Sequence, residues 1–294
     1  MLLRALPVRT TATDGLLLVD KGPGVTSHDV VALARRSLRT RRVGHTGTLD
    51  PFATGLLVLL VGRATRLARY VDDEPKVYDA TISFGAETST DDPTGEVTRI
   101  AAPPSAKDVD EAIDSLTGSI LQRPPDYSAK KVAGKRAYTA ARAGTPLTLT
   151  PVSVVVHEWI VRRRTLTTMD VTIACGGGTY VRALARDLGR ATGSAAHLTA
   201  LRRTRCGVFD VAEGLSLADL DGENLTLAPL RSAIPHFPTQ SVAADDLRRV
   251  LHGNAVEARV DAPLVALVDA DGDLVAVAQR EGATLQPRAV IRDA

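Results

Sequence analysis

The sequence predicts an α+β fold: a mixed, largely antiparallel sheet flanked by helices, followed by a small β-rich C-terminal domain. Three observations carry this expectation. KVYDATISFG (76–85) alternates, with Tyr78, Ala80, Ile82 and Phe84 on one face of a strand. PVSVVVHEWIV and MDVTIAC read as the two strands of a hairpin. Single strands and helices do not alternate along the chain, so parallel βαβ units are not indicated.

The elements follow in order. DGLLLVDKGPG (14–24) is a short strand ending in a Gly/Pro turn. SHDVVALARRSLRTRR comes next, with Ser27 as the expected N-cap and Val30, Val31, Ala34 and Leu38 on one helical face. That helix ends in a basic cluster of Arg35, Arg36, Arg39, Arg41 and Arg42. After GHTGTLDPFAT the apolar run GLLVLLVG reads as a buried strand, and a helix is expected around 63–72. SAKDVDEAIDSLTG (105–118) is a capped helix with Val109, Ala112, Ile113 and Leu116 inward. The stretch 123–144 is basic and poor in large aliphatics, and reads as a mobile excursion containing a short helix. GGGTYVRALARDLGRATG opens as a glycine turn and becomes a helix; HLTALRRTRCGVF returns as a strand. A shift in composition over 222–242 places a domain boundary near 230, giving 1–230 and 231–294. The tail shows a helix at 243–251, a hairpin turning at Asp271-Gly272 and a last strand at 288–292.

With 44% hydrophobic and 24% charged residues, the 294-residue chain has an ordinary globular composition. Nothing approaches the ~20 consecutive apolar residues of a membrane span. Arg4 and Pro7 interrupt any apolar core of a secretory signal. Cys175 and Cys206 make neither a disulfide framework nor a zinc spacing, so a cytoplasmic location is expected. Net charge is +2, yet residues 241–294 hold 6 Arg against 9 Asp or Glu, which leaves the rest of the chain basic. Of the 36 basic residues 30 are Arg, whose forked guanidinium fits phosphate oxygens. An Arg-rich proteome would give the same composition, so charge raises nucleic-acid binding only as one reading.

No G-x-x-x-x-G-K-[ST] and no G-x-G-x-x-G is present, so nucleotide cofactors lack their usual cradle. No His-Glu-x-x-His occurs, and no cofactor or metal is expected. Asp50 is the sharp candidate: it is the one charged residue between Gly44 and Gly62. Pro51 pushes it out of helical geometry, and the glycines at 44, 47 and 55 permit tight turns and close approach of a ligand. A carboxylate at the edge of an apolar wall needs a partner to stay ionised, and can then serve as nucleophile or base. On this stretch alone an Asp capping its own turn is the commoner arrangement. The Asp-x-Asp phosphatase pattern fails, because Phe52 occupies the second position and the apolar run follows Asp50. Tyr180 and Arg182 sit at a helix start, where an Arg can pair with a carboxylate in fork geometry. Tyr78 could stack on a planar ligand or pack as an ordinary strand residue. His28 and His45 could be ring stackers, but an isolated histidine reads first as a hydrogen-bonding loop residue.

Together, VDKGPGVTSHDVV (19–31), GHTGTLDPFATGLLVLLVGRATRL (44–67), KVYDATISFG (76–85) and CGGGTYVRALARDLG (175–189), followed by AHLTALRRTRCGVF (196–209), resemble the TruB family of bacterial tRNA pseudouridine-55 synthases. The similarity covers about 1–210. It implies a pseudouridine-synthase-like sheet and a PUA-like C-terminal domain. It implies isomerisation of a T-loop uridine of tRNA, in which the N1–C1′ bond breaks, the uracil turns over and a C5–C1′ bond forms. No cofactor, membrane or obligate protein partner is implied. On this resemblance Asp50 is the catalytic aspartate, Arg182 the arginine that pairs with it and Tyr78 the residue that stacks on the target base. Tyr180 and Leu201 line the pocket, and His45 helps hold the target out of its loop. Lys21, Lys130, Lys131 and Arg136 would touch substrate, the last three from the basic excursion acting as a lid. The sequence departs from the family pattern at Gly22-Pro23 and at Thr88-Ser89-Thr90-Asp91-Asp92, and neither departure is expected to touch the chemistry. The slightly acidic tail differs from a basic RNA-binding PUA module. A rival reading is a protein that binds and folds the T arm of tRNA independently of catalysis.

Overall fold

A computed structural model describes residues 13–71, 74–128, 130–132, 135–145, 147–222 and 225–292, with the side chains of 131–136 and Arg142 outside the description. The strands are β1 (Gly15–Lys21), β2 (Val43–His45), β3 (Thr54–Val61), β4 (Lys76–Phe84), β5 (Ala86–Thr88), β6 (Val97–Ile100), β7 (Gly118–Gln122), β8 (Lys131–Val132), β9 (Lys135–Arg136), β10 (Val152–Arg164), β11 (Thr168–Cys175), β12 (Ala196–Cys206) and β13 (Phe209–Asp210). The tail adds β14 (Thr239–Ser241), β15 (Val256–Glu257), β16 (Leu264–Val268), β17 (Leu274–Glu281) and β18 (Thr284–Val290). The helices are α1 (Ser27–Ser37), α2 (Ala106–Ser115), α3 (Ala137–Arg142), α4 (Val181–Ala191), α5 (Leu217–Leu220) and α6 (Ala244–Leu251). Among the described residues no helix is long and apolar enough to cross a membrane.

The chain forms two compact units: Met1–Asp50, Leu57–Asp73 and Val211–Ala294 make one, and Pro51–Leu56 with Glu74–Asp210 the other. In the second unit the strand order is β3-β12-β4-β11-β10-β7. Only the β3–β12 pair is parallel, through Thr54 and Gly55 against Arg202 and Arg203. The neighbours β12–β4, β11–β4, β10–β11 and β10–β7 are antiparallel. The alternation of β4 holds as expected: Tyr78, Ala80, Ile82 and Phe84 are buried on one face. β7 is a strand that helical periodicity hid. The helix before it stops at Ser115, and Gly118, at φ +83°, turns the chain into the sheet.

In the first unit, β1 and β2 flank the Leu57–Val61 part of β3. Leu17, Val19, Val30, Val31, Leu57, Leu59 and Val61 pack into one core. The α1 cap lies one residue before the expected one. Thr26 accepts from the Asp29 N–H while the Asp29 carboxylate accepts from the Thr26 N–H, a capping box. The helix expected around 63–72 is a shorter 3-10 turn, Gly62–Leu67. It starts where Gly62 (φ +61°) passes so close to Asp14 that a Cβ would run into the carboxylate. The tail from β14 onward forms a five-stranded sheet, order β14-β16-β17-β18-β15, with its own core under α6. The expected boundary near 230 falls within this first unit, because β1 also pairs with Leu215 and Ala228.

Candidate active site

The segment leading to Asp50 is pinned by a buried hydroxyl. Ser27 Oγ accepts from the Leu49 N–H at 2.8 Å and donates to the Leu49 carbonyl at 3.1 Å. The residue expected to cap α1 therefore fixes the position immediately before Asp50, which is itself half-buried. On the far side of Pro51, Gly55 has φ +102°. A Cβ there would lie 2.7 Å from Arg203 N and closer still to its carbonyl oxygen. Gly55 was expected to admit a ligand; it admits the backbone of β12.

Tyr78 sits on β4 between Ile173 of β11 and Arg203 of β12. It is 7% exposed, and burial pushes its hydroxyl up to about 12, opposed by the neighbouring Arg203. The phenol is thus neutral across the physiological range. Arg203 is 1% exposed and donates from Nε to the Leu56 carbonyl at 2.8 Å. Sequence reasoning passed over it. The signal was present in ALRRTRC, where Leu201 and Arg203 share the inner face of a strand. Leu201, opposite Ala80, is buried two residues from Arg203.

The start of α4 is held by a side chain the sequence reading also missed. Tyr180 is the N-cap without a side-chain cap bond of its own. Gln122, fully buried at the end of β7, accepts from the Tyr180 N–H at 2.8 Å and donates to its carbonyl at 3.1 Å. One turn in, Arg182 is 3% exposed. Its Nη1 donates to the Thr90 carbonyl at 2.7 Å and its Nη2 to the Tyr127 carbonyl at 2.8 Å. The Asp92 carboxylate lies 3.6 Å away. The loop that departs from the family pattern, expected to leave the chemistry untouched, thus places an acid beside Arg182.

Arg182 is the first rung of a ladder. Helical residues four apart share a face, and Arg182, Arg186 and Arg190 meet Asp92, Asp91 and Glu87 in turn. Burial pushes the Asp91 carboxyl up to about 6, against the pull of Arg186 and Arg182. For Glu87 burial also acts upward, but bonds from Arg190 and Arg99 outweigh it and hold the carboxyl below its usual range. Cys175 is buried and its thiol is pushed up to about 12, so it is no nucleophile at neutral pH.

A groove of about 740 Å³ opens on the sheet, with Asp79, Thr81, Thr172, Leu201 and Arg202 in its lining. Tyr78 does not line it.

Two family profiles match adjoining stretches of the chain: TruB family pseudouridylate synthase, N-terminal domain, over residues 35–181, and tRNA pseudouridylate synthase B C-terminal domain over 182–251. The chain belongs to the TruB family. It is 45% identical over 288 residues to the tRNA pseudouridine synthase B of Thermobifida fusca, covering 93% of this chain and 97% of that protein. It is 44% identical to the Rhodococcus jostii protein of the same name, covering 95% of this chain and 94% of that one. Among solved structures, a chain of an H/ACA ribonucleoprotein bound to a substrate RNA containing 2′-deoxyuridine superposes with a TM-score of 0.72 at 23% identity, covering 98% of this chain and 88% of that one. A chain of a Cbf5-Nop10-Gar1 complex gives a TM-score of 0.72 at 25% identity, covering 96% and 86%. The TruB-type fold is thereby established.

The remaining residues suggested by the TruB resemblance fare differently. His45 is half-buried on β2, its ring edge-on to His28 with centroids 5.9 Å apart. Lys21 was expected to touch substrate. It is 0% exposed, and its ammonium donates to the Gly22 and Val25 carbonyls at 2.9 and 2.8 Å. It holds the Gly22–Val25 turn and offers no surface to an RNA. Lys130 is exposed. The side chains of Lys131 and Arg136 lie outside the described residues.

Proposed function

We propose that the protein isomerises uridine 55, in the T loop of tRNA, to pseudouridine. Relatives bearing the name tRNA pseudouridine synthase B support the reaction class. The observation that carries the site is Arg182: a guanidinium buried in the first turn of α4 and oriented by two carbonyls at 2.7 and 2.8 Å. A cation so placed suits a carboxylate that must stay charged in a dry pocket.

Asp50 is that carboxylate in this reading. It acts by attack at C1′ or by taking the C2′ proton as the base leaves. The N1–C1′ bond breaks, the uracil rotates, C5 bonds to C1′, and the C5 proton moves to solvent while N1 gains one. Every atom of the nucleoside framework is retained, so the balance needs no redox partner and no ATP. A uridine stacked in a loop cannot expose C1′, so it must be flipped out, at a cost of a few kcal/mol. Stacking on Tyr78 returns about 1–3 kcal/mol. Tyr180 and Leu201 close the pocket, His45 holds the nucleotide out, and Lys130, Lys131 and Arg136 grip the backbone. A tRNA-modifying role suits a cytoplasmic location.

An unmodified tRNA transcript incubated with the protein and mapped by carbodiimide-based primer extension tests this. One T-loop uridine is converted without added cofactor. Asp50→Asn abolishes conversion and keeps RNA binding. Persistent conversion by Asp50→Asn would remove Asp50 from the mechanism.

A further inference from the structure

We infer that Ser27 is a positioning residue for the uridine isomerisation. Its hydroxyl grips both peptide groups of Leu49 and so sets the direction from which the Asp50 carboxylate meets the nucleotide. This rests on the reading that Asp50 is the reacting carboxylate. The stretch 19–31 was expected to meet substrate through Lys21; its work here is to carry this hydroxyl.

The first observation is that α1 does not use this hydroxyl at its start. Thr26 and Asp29 close the capping box, which releases Ser27, the first helical residue, for another partner. That partner lies 22 residues along the chain. Ser27 Oγ accepts from the Leu49 N–H at 2.8 Å and donates to the Leu49 carbonyl at 3.1 Å. One side chain thus supplies Leu49 with the donor and the acceptor that a paired residue on a neighbouring strand supplies inside a sheet.

The clamp also stands on a rigid base. Ser27 is 1% exposed and Leu49 3%. The Lys21 ammonium donates to the Gly22 and Val25 carbonyls and fixes the turn that leads into Thr26. Val30, Val31 and Ala34 of α1 pack with Leu57, Leu59 and Val61 of β3, the strand that follows the Asp50 loop. A hydroxyl mounted there moves only with the core. Asp50 is constrained from its other side as well, because Pro51 closes the helical region to its backbone. A carboxylate that must reach C1′ or the C2′ proton has to be placed within about 0.5 Å. An error of about 1 Å costs on the order of 100-fold in rate. Ser27 is buried and its donor is spent on Leu49, so it acts through Asp50 and not on the nucleotide.

The test is tritium release from C5 of the target uridine in an unmodified full-length tRNA transcript, under single turnover with protein in excess. Two quantities are read well below each variant's Tm: the rate at saturating protein, and the protein concentration that gives half of it. Ser27→Ala removes both bonds. Ser27→Cys, of similar volume with a weak donor and a weak acceptor, takes its place if Ala does not fold. Val31→Ala truncates the core under the same helix and spares the hydroxyl, so it is the stability control. We expect Ser27→Ala to lower the saturating rate about 10- to 100-fold and Ser27→Cys about 10-fold, with half-saturation within about twofold of wild type. Val31→Ala keeps both quantities. A saturating rate unchanged in the serine variants, while wild type converts the transcript, overturns the positioning role alone. So does an equal fall in Val31→Ala, which makes the hydroxyl merely structural, or a rise in half-saturation at constant rate, which makes Ser27 an RNA contact. Failure of wild type to release tritium overturns the proposed function and this role with it.

Discussion

Replacing Gly55 by Ala should cost far more than the same change at Gly118, although both glycines have positive φ. The angles are +102° and +83°. Forcing an L-residue into that region costs about 1–2 kcal/mol at either site. At Gly118 a Cβ meets nothing within 4 Å, so that is the whole expense. At Gly55 the new carbon would lie 2.7 Å from Arg203 N and 2.9 Å from Arg203 C, where ordinary contact begins at 3.4 Å. These are backbone atoms and cannot rotate away. β12 must retreat, loosening its pairing with Thr54 and Gly55 and the 2.8 Å bond from Arg203 to Leu56. Overpacking costs about 1–3 kcal/mol and a charged hydrogen bond about 1.5–3 kcal/mol. The expected total is about 4–6 kcal/mol, or roughly 10 °C or more in Tm, against about 3–5 °C for Gly118→Ala. Thermal unfolding by circular dichroism of both variants decides it. Equal shifts in Tm would refute the close approach of β3 and β12. Because Arg203 flanks Tyr78, Gly55→Ala should also lower conversion of a tRNA transcript at temperatures where it remains folded.

The two acids below Arg182 on the ladder should leave opposite pH signatures. Asp91 has a folded pKa raised from 3.8 to about 6, so its contribution is full below about pH 4 and is lost as pH rises through about 6. Urea unfolding should therefore show wild type losing about 2–3 kcal/mol relative to Asp91→Asn between pH 4 and 7; a constant difference would refute the assignment. Glu87 is held below 4.5, so its contribution is full above that value and disappears as pH falls through the lower folded value. Glu87→Gln should accordingly be destabilised relative to wild type at pH 7 and converge with it in acid, and parallel curves would count against the pairing. Gln122→Leu removes the side-chain acceptor of the Tyr180 N–H, at about 1–3 kcal/mol for a buried donor left unmet, while the Tyr180 carbonyl keeps its bond from the Leu184 N–H. A loss of unfolding free energy below about 1 kcal/mol in urea titration would show that Gln122 does not hold the start of α4.

Much of the frame was legible because it rests on periodicity. The period-two alternation of 76–84, the paired apolar runs at 152–164 and 168–175, and the Asp271-Gly272 turn each report a local geometry. What escaped was set by partners distant in sequence. Ser27 looked like a cap because it precedes a helical pattern, yet its hydroxyl serves Leu49. Gln122 and Arg203 are polar residues that composition places outside, and groups they satisfy, among them Tyr180 and Leu56, accompany their burial. Lys21 shows the reverse: a motif lysine whose charge faces its own turn. At the candidate site, spacing and resemblance singled out Asp50, Tyr78 and Arg182. Neither exposed Asp92 as a neighbour of Arg182, because an acid in a turn-rich loop carries no mark of what lies opposite.

The arginine ladder also limits how α4 can dock. A slip of one helical turn, about 5.4 Å, would set Arg186 against Asp92 and Arg190 against Asp91, leaving Glu87 buried with only Arg99 and one guanidinium facing nothing. Each misalignment strands a charge in low dielectric, which is heavily disfavoured. Apolar ridges alone would tolerate such neighbouring settings of the helix far better. The acids at 87, 91 and 92 thus act as an indexing rack that admits a single setting, and the arginine at its first rung inherits that accuracy.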